Sequence, residues 1–415
     1  MTESSAETFL SRLGPQFVAD PYPFYDAVRG AGAGGVTWMP GAFGVGAWMV
    51  AGHAACSAAL KSKHLGKEGH RVLPPERLAL LPQEGAQVAE HRKVNMLFRD
   101  PPDHTRLRGL VNQAFTPRTI ERLRPHIAEI AESLLDAAAA TATTDGTVDL
   151  IRTYAFPLPI IVIAEMLGVS PADRDRFKAW STVLTQGIKL DATVDDLRQV
   201  GGAIAELSAY LREVIEDRRK TPRADLISDL VRVQDAGDRL TMDELLGTCR
   251  LILTAGHETT VNLIGNGVLA LLQNPDARAA LAGDPGLLPG GVEELLRYDS
   301  PVQITQRFAM EDTHVGDHAV ARGDIVILLL GGANRDPEVF DAPAKVDVRR
   351  PNAHAHLSFG TGIHYCLGAP LARLEGEIAI GALLRRFPRL ALAGAPLGWR
   401  SHMVLRGLNT LPVKL

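Results

Sequence analysis

One of the three cysteines in this chain, Cys366, lies in the run Phe359-Gly360-Thr361-Gly362-Ile363-His364-Tyr365-Cys366-Leu367-Gly368. A cysteine framed by Gly360, Gly362 and Gly368, and followed by a helix-forming run at 369–379, has what a thiolate ligand to a metal needs. Glycine lets the backbone take unusual dihedrals and come close to a flat cofactor. A helix start adds free amide groups and the positive end of the macrodipole, and both favour an anionic sulfur. A cysteine chosen at random is more often an inert core residue. That plainer reading suits Cys56 and Cys249, which lie in helical-looking runs. The three cysteines are far apart and odd in number, so they do not form a disulfide framework.

Glu258 and Thr259 directly follow Ala255-Gly256 and offer an acid and an alcohol side by side, a pairing suited to proton transfer. In isolation such a pair is an ordinary solvated surface. Glu294 and Arg297 are three apart on a helical stretch and can pair, usually for only a few tenths of a kcal/mol on a surface. His104 and Arg108, four apart after Asp100-Pro101-Pro102, share one helix face. Between His91 and Arg124 eight Lys/Arg (Arg92, Lys93, Arg99, Arg106, Arg108, Arg118, Arg122, Arg124) face three acids (Asp100, Asp103, Glu121), in a chain whose net charge is −4. A solvated helix face accounts for part of that excess. The overall charge argues against a general nucleic-acid binder.

The elements that must position these groups are mainly helical. Apolar residues recur at three- and four-residue intervals over 123–140, 172–184, 195–219, 242–272 and 291–298. Strand-like pieces are short, at 36–39, 47–51, 313–315 and 325–330, so small sheets on an α-helical body are expected. The stretch 63–97 mixes Gly, Pro, Gln and aliphatic residues without a period and reads as a long functional loop. The 242–272 helix carries Gly256, Gly265 and Gly267, each costing about 1 kcal/mol relative to alanine. Close helix packing is the preferred reason at Gly265 and Gly267. At Gly256, beside the small Ala255, close approach of a planar cofactor or dioxygen is preferred.

No Gly/Ser linker, repeat or low-complexity block divides the 415 residues, so a single domain over 1–415 is expected. Hydrophobic residues at 46% and charged residues at 22% suit a globular enzyme with a sizeable core. The first residues, Met1-Thr2-Glu3-Ser4-Ser5-Ala6-Glu7, lack a positive and an apolar leader region, and no run reaches the roughly 20 apolar residues of a membrane span. A soluble, cytoplasmic protein without a membrane partner is expected.

At 359–368 the chain resembles the haem-binding loop of the cytochrome P450 superfamily, and it is identified as a member of the soluble bacterial, actinobacterial-looking type. The resemblance extends over Asp20-Pro21-Tyr22-Pro23, Asp100-Pro101-Pro102-Asp103-His104-Thr105, Ala255-Gly256-His257-Glu258-Thr259-Thr260, 294–297 and Asn334-Arg335-Asp336-Pro337. It implies the P450 fold, with haem b (iron protoporphyrin IX) between the long distal helix, about 242–272, and the proximal cysteine loop and helix. Cys366 is then the iron ligand, with Phe359, Gly360, His364 and Gly368 in the binding loop and Ala255 and Gly256 on the distal side. Glu258 and Thr259 become the proton-delivery pair, and His104, Arg108, Arg307 and His364 the propionate partners. His257 stands where a smaller or apolar residue is commoner and receives no role. Glu294 and Arg297 would lock with Arg349 or Arg350 and support the cysteine loop.

The activity so implied is a haem-thiolate monooxygenase. It would insert one oxygen atom from O2 into an organic substrate, with electrons from a ferredoxin docked near the basic run and Arg373, because no flavin or nicotinamide domain follows. A peroxide-driven peroxygenase would replace the Glu258-Thr259 pair, and a haem-based ligand-binding sensor would need no proton relay. The segments 78–97, 183–188, 252–255, 302–305 and 403–405 are mostly aliphatic or small. They suggest a roomy apolar pocket for a polyketide or macrolide, terpenoid, steroid or fatty acyl chain.

Overall fold

Helical periodicity carries over directly into the computed structural model, which describes residues 14, 16–42, 46–78, 86–189, 192–235, 240–394 and 396–415. The leader reading of the first residues lies outside this set. The helices of nine or more residues are α1 (Tyr22–Ala31), α2 (His53–Lys61), α3 (Ala86–Val94), α4 (Asp103–Ala114), α5 (Arg124–Ala140), α6 (Pro157–Met166) and α7 (Arg174–Leu184). Then follow α8 (Val194–Lys220), α9 (Leu226–Asp235), α10 (Met242–Gln273), α11 (Pro275–Gly283), α12 (Leu288–Tyr298) and α13 (Ala369–Arg386). Prolines open several of them, as their missing N–H and fixed φ permit. In α8 the Thr193 hydroxyl and the Asp196 carboxylate cap each other's backbone amides, and Arg218, Arg219 and Lys220 meet the negative end of the dipole.

The chain divides into two compact units. The first is built from Met1–Leu81, Asn262–Cys366 and Leu384–Leu415, the second from Pro82–Val261 and Leu367–Leu383. In the first unit β1 (Val36–Met39), β2 (Ala47–Val50), β3 (Leu65–Gly66), β4 (Ile304–Ala309) and β5 (Ile325–Leu329) form a five-stranded sheet in the order β1-β2-β5-β4-β3. Only the β2–β5 pair is parallel. All five residues of β5 are buried, which fits its uninterrupted run of aliphatic residues. The expected strands are all present. β4 was not among them, because Gln306 and Arg307 interrupt its apolar pattern.

The second unit is helical in its larger part, with α5, α6, α7 and α8 around a core that includes Ile127, Leu135, Ile163, Phe177 and Leu207. The expected long loop at 63–97 is corrected: it contains β3, a helical turn at Pro75–Leu78 and the helix α3. Ala86-Gln87-Val88-Ala89-Glu90 are good helix formers with too few apolar residues to show a period. Residues 79–85 of that stretch lie outside the described set. Among the described residues no helix is long and apolar enough to cross a membrane.

Candidate active site

In the first unit, glycine geometry builds the cysteine loop. Gly360 and Gly362 take φ of +66° and +74°, the left-handed region that side chains other than glycine rarely adopt. A Cβ on Gly362 would also stand 2.7 Å from the carbonyl oxygen of Leu60. The Cys366 amide donates to the Phe359 carbonyl at 2.9 Å and closes the loop, and the Gly360 amide donates to Leu357 at 2.8 Å. Phe359 packs on Leu263, Val292 and Leu296. Cys366 is half-buried and in no disulfide, three residues before α13. Cys56 and Cys249 are fully buried, and burial pushes both thiols up, Cys249 to about 12. The inert reading of those two cysteines suits this environment, and Cys366 is the one of the three sulfurs that is not fully buried.

Behind the loop stands a buried ionic lock of the kind the resemblance implies, and Glu294 and Arg297 are not an ordinary surface pair. Both side chains are fully buried, paired in two bonds at 2.7 and 2.8 Å. Of the two arginines considered, Arg350 completes the lock at 3.0 Å from Glu294, whereas Arg349 is exposed. Arg297 also donates to the backbone carbonyls of Asn334, Pro343 and Lys345, and Arg350 to those of Asp341 and Lys345. A second support was not read from the sequence. Asn334 accepts from the Leu357 amide at 2.6 Å and donates to the hydroxyls of Ser300 and Ser358 at 2.7 and 2.8 Å, and both serines donate to the Leu296 carbonyl. These bonds fix the chain immediately before Phe359. The Asn334-Arg335-Asp336-Pro337 motif was the available signal.

In the second unit, α10 presents Ala255 exposed and Gly256 and Thr259 half-buried, while His257, Glu258 and Thr260 around them are buried. The Thr259 hydroxyl donates to the Ala255 carbonyl at 2.6 Å, which leaves its lone pairs to accept. At Gly256 close packing is a sufficient reason for glycine: a Cβ would meet the Ile163 Cδ1 of α6 at 2.6 Å. His257 faces α7, its Nδ1 at 2.9 Å from the Ser181 hydroxyl and its ring edge-on to Phe156 at 4.3 Å. His104 and Arg108 share a face of α4, buried and half-buried respectively. Gly368 stands just before α13. In the first unit His364 ends the turn Gly362–His364, and Arg307 lies buried on β4, donating to the Gln306 carbonyl at 2.9 Å.

The basic run is less free than its composition suggests. Arg106 pairs with Glu244, Arg99 with Asp103, Lys93 with Glu90, and Arg124 with Glu121 and Glu377. Arg118 and Arg122 are exposed and are in no ion pair among the described residues.

The family model described as Cytochrome P450 matches residues 82–284 and 287–392. The chain belongs to the cytochrome P450 family. Cytochrome P450 monooxygenase PikC of Streptomyces venezuelae is 44% identical over 98% of this P450 and 93% of its own length. The polyketide biosynthesis cytochrome P450 PksS of Bacillus subtilis is 42% identical over 89% of each chain. Among solved structures, P450BioI in complex with hexadec-9Z-enoic acid ligated acyl carrier protein superposes with a TM-score of 0.88 at 38% identity, covering 97% of this P450 and 100% of that chain. This P450 is therefore a monooxygenase of a haem-dependent family. Its residues fit that cofactor: a half-buried thiol in a loop that two left-handed glycines shape, and on α10 an exposed Ala255 beside half-buried Gly256 and Thr259.

Proposed function

We propose that this P450 inserts one oxygen atom from O2 into a bulky apolar substrate of polyketide or macrolide type. It uses haem b and takes electrons in the cytoplasm from a separate ferredoxin and ferredoxin reductase. The whole chain, 1–415, is read as one P450 domain, since the family match runs through segments of both units. Haem b, once bound, supplies the activation of dioxygen. Cys366 would hold it through the thiolate, within the loop of Phe359, Gly360, His364 and Gly368. Arg108 and Arg307 carry the charge and His104 and His364 the ring N–H donors suited to its propionates. Ala255 and Gly256 supply backbone with little side chain in the way.

The observation that carries the proton-handling role is the placement of Thr259 on the strip of α10 that solvent reaches, with Glu258 buried beside it. The Thr259 hydroxyl oxygen can accept a hydrogen bond, because its own hydrogen is spent on Ala255, and the Glu258 carboxyl is the acid that would supply the proton. Thr259→Ala is expected to leave substrate affinity within about twofold, while product per reductant consumed falls roughly tenfold or more and hydrogen peroxide rises. Unchanged coupling in that variant would remove Thr259 from the role. The Glu258-Thr259 pair also disfavours a peroxide-driven reading.

PksS supports the substrate class, being described for polyketide biosynthesis, and the acyl chain on P450BioI makes fatty acyl substrates the nearest competitor. The aliphatic segments 302–305 and 403–405 come together in the first unit, where Val302 bridges Leu405 and the Gln303 amide donates to Val404. Titrating macrolactones, terpenoids, steroids and fatty acids against the Soret shift of the resting enzyme separates the classes.

Arg118 and Arg122 carry the electron-donor proposal. Reversing either to Glu is expected to slow reduction by a ferredoxin severalfold with substrate affinity unchanged, and the wild-type rate is expected to fall as salt screens charges beyond about 8 to 10 Å. Arg106→Glu is a poor probe, because it breaks the internal pair with Glu244. A salt-independent rate shared by wild type and variants would move the docking surface elsewhere.

A further inference from the structure

Tyr25 on α1 and Gln303, just before β4, are buried at 0% and 2% exposure, and both line one small pocket of the first unit together with Met403, Arg406 and Gly407. Neither the Tyr25 hydroxyl nor Gln303 Oε1 has a hydrogen-bond partner among the described residues. The orientation of the amide follows from its other end. Its Nε2 donates to the Ser300 carbonyl at 2.7 Å, and a carbonyl can only accept, so the oxygen is the end left over. Tyr25 is its complement: burial pushes the phenol well above its ordinary value, so it stays an O–H and donates. Adjacent glycines in the turn Leu330–Ala333 give both side chains their room, since a Cβ on Gly331 would collide with Oε1 and one on Gly332 would stand 2.9 Å from the Tyr25 Cβ. A buried donor or acceptor without a partner is costly, and buried polar groups in folded proteins are nearly always paired. The room in the pocket, about 10 Å³, matches one water molecule, which needs at least two polar partners.

We infer that this pocket binds one water molecule, which accepts from the Tyr25 hydroxyl and donates to Gln303 Oε1, and that Tyr25 is thereby a positioning residue for the wall of the substrate pocket. Gln303 is where that wall is fastened. Its amide donates to the Val404 carbonyl at 2.8 Å, and its own carbonyl accepts from the Gly331 amide at 3.1 Å. On either side of it Val302 bridges Leu405, and the Arg406 amide donates to the Pro301 carbonyl at 2.9 Å. Segments 302–305 and 403–405 thus hang together at a residue whose side chain the water ties to α1. Tyr25 reaches the wall only through that water and Gln303. The inference rests on the reading of those two segments as pocket wall.

A crystal structure of the holoenzyme that shows ordered solvent is expected to place a water within hydrogen-bond distance of both Tyr25 Oη and Gln303 Oε1, and to lose it in Tyr25→Phe, which keeps the ring. Chemical denaturation gives a second test that needs no crystal. Tyr25→Phe and Gln303→Leu each strand the other's polar group, whereas the double variant strands neither. The product of the two single losses in the folding equilibrium constant should therefore exceed the loss in the double variant by roughly threefold or more, although the two side chains do not bond each other. Gln303→Leu also frees the Ser300 carbonyl, but it does so in both arms of the cycle, where it cancels. Two azoles read the positioning role: imidazole reaches the iron alone, and phenylimidazole also reaches the wall. Tyr25→Phe should leave the imidazole Kd unchanged and raise that of phenylimidazole roughly threefold or more. No water at that place in the wild type overturns the inference, as does a cycle in which the single losses simply multiply. A water that is present while phenylimidazole affinity is unmoved in Tyr25→Phe overturns the positioning role and counts against 302–305 and 403–405 as the wall.

Discussion

Replacing Cys366 by His is expected to abolish the red-shifted Soret band of the reduced carbon monoxide complex and to reduce monooxygenase activity below detection. The band reports thiolate ligation, and an imidazole is a neutral ligand that does not push charge onto the iron. The loop should survive the change, because its closure is a backbone bond from residue 366 to Phe359 and its shape is set by Gly360 and Gly362. Cys56→Ala and Cys249→Ala are the controls. Both sulfurs are buried and too hard to ionise to take the iron, so the band should be unchanged. A thiolate-type spectrum persisting in the Cys366 variant would assign the ligand elsewhere.

The second large effect is expected at the ionic lock. Glu294→Ala or Arg297→Ala leaves the remaining partner charged at zero exposure, and breaking a buried pair from one side typically costs about 3 to 5 kcal/mol. Much of a domain's net stability would go with it. Chemical denaturation and haem retention on purification should both show the loss. Arg350→Ala should cost less, since Glu294 keeps its two bonds to Arg297, and Arg349→Ala should be nearly silent because that side chain is in solvent. Equal losses at Arg349 and Arg350 would mean the lock does not work as its geometry indicates.

The sequence revealed most where chemistry is written into neighbouring residues. The cysteine loop needs glycines at fixed offsets from Cys366, so its shape could be read locally, and the left-handed dihedrals at Gly360 and Gly362 follow that reading. Glu294 and Arg297 show the limit. Their spacing indicates a pair, but whether that pair is worth tenths of a kcal/mol or several depends on burial by residues fifty positions away, which no local pattern carries. The Asn334 motif was visible but its role was not, since its partners Ser300, Leu357 and Ser358 come from separate stretches of chain. The charge count over 91–124 overstated the free basic surface, because Glu244 and Glu377 lie outside that window and neutralise part of it. At β4 and α3, pairing and packing with distant elements outweighed weak local patterns.

Arg297 and Arg350 grip the stretch around 334–345 almost wholly by main-chain oxygens: Asn334, Asp341, Pro343 and Lys345. Every amino acid supplies the same carbonyl. The two guanidinium groups thus fix the path of the peptide while remaining indifferent to the side chains at Asp341, Pro343 and Lys345. Positions 341, 343 and 345 can therefore change in composition without loosening this grip, so variation at them is no sign of a relaxed structure.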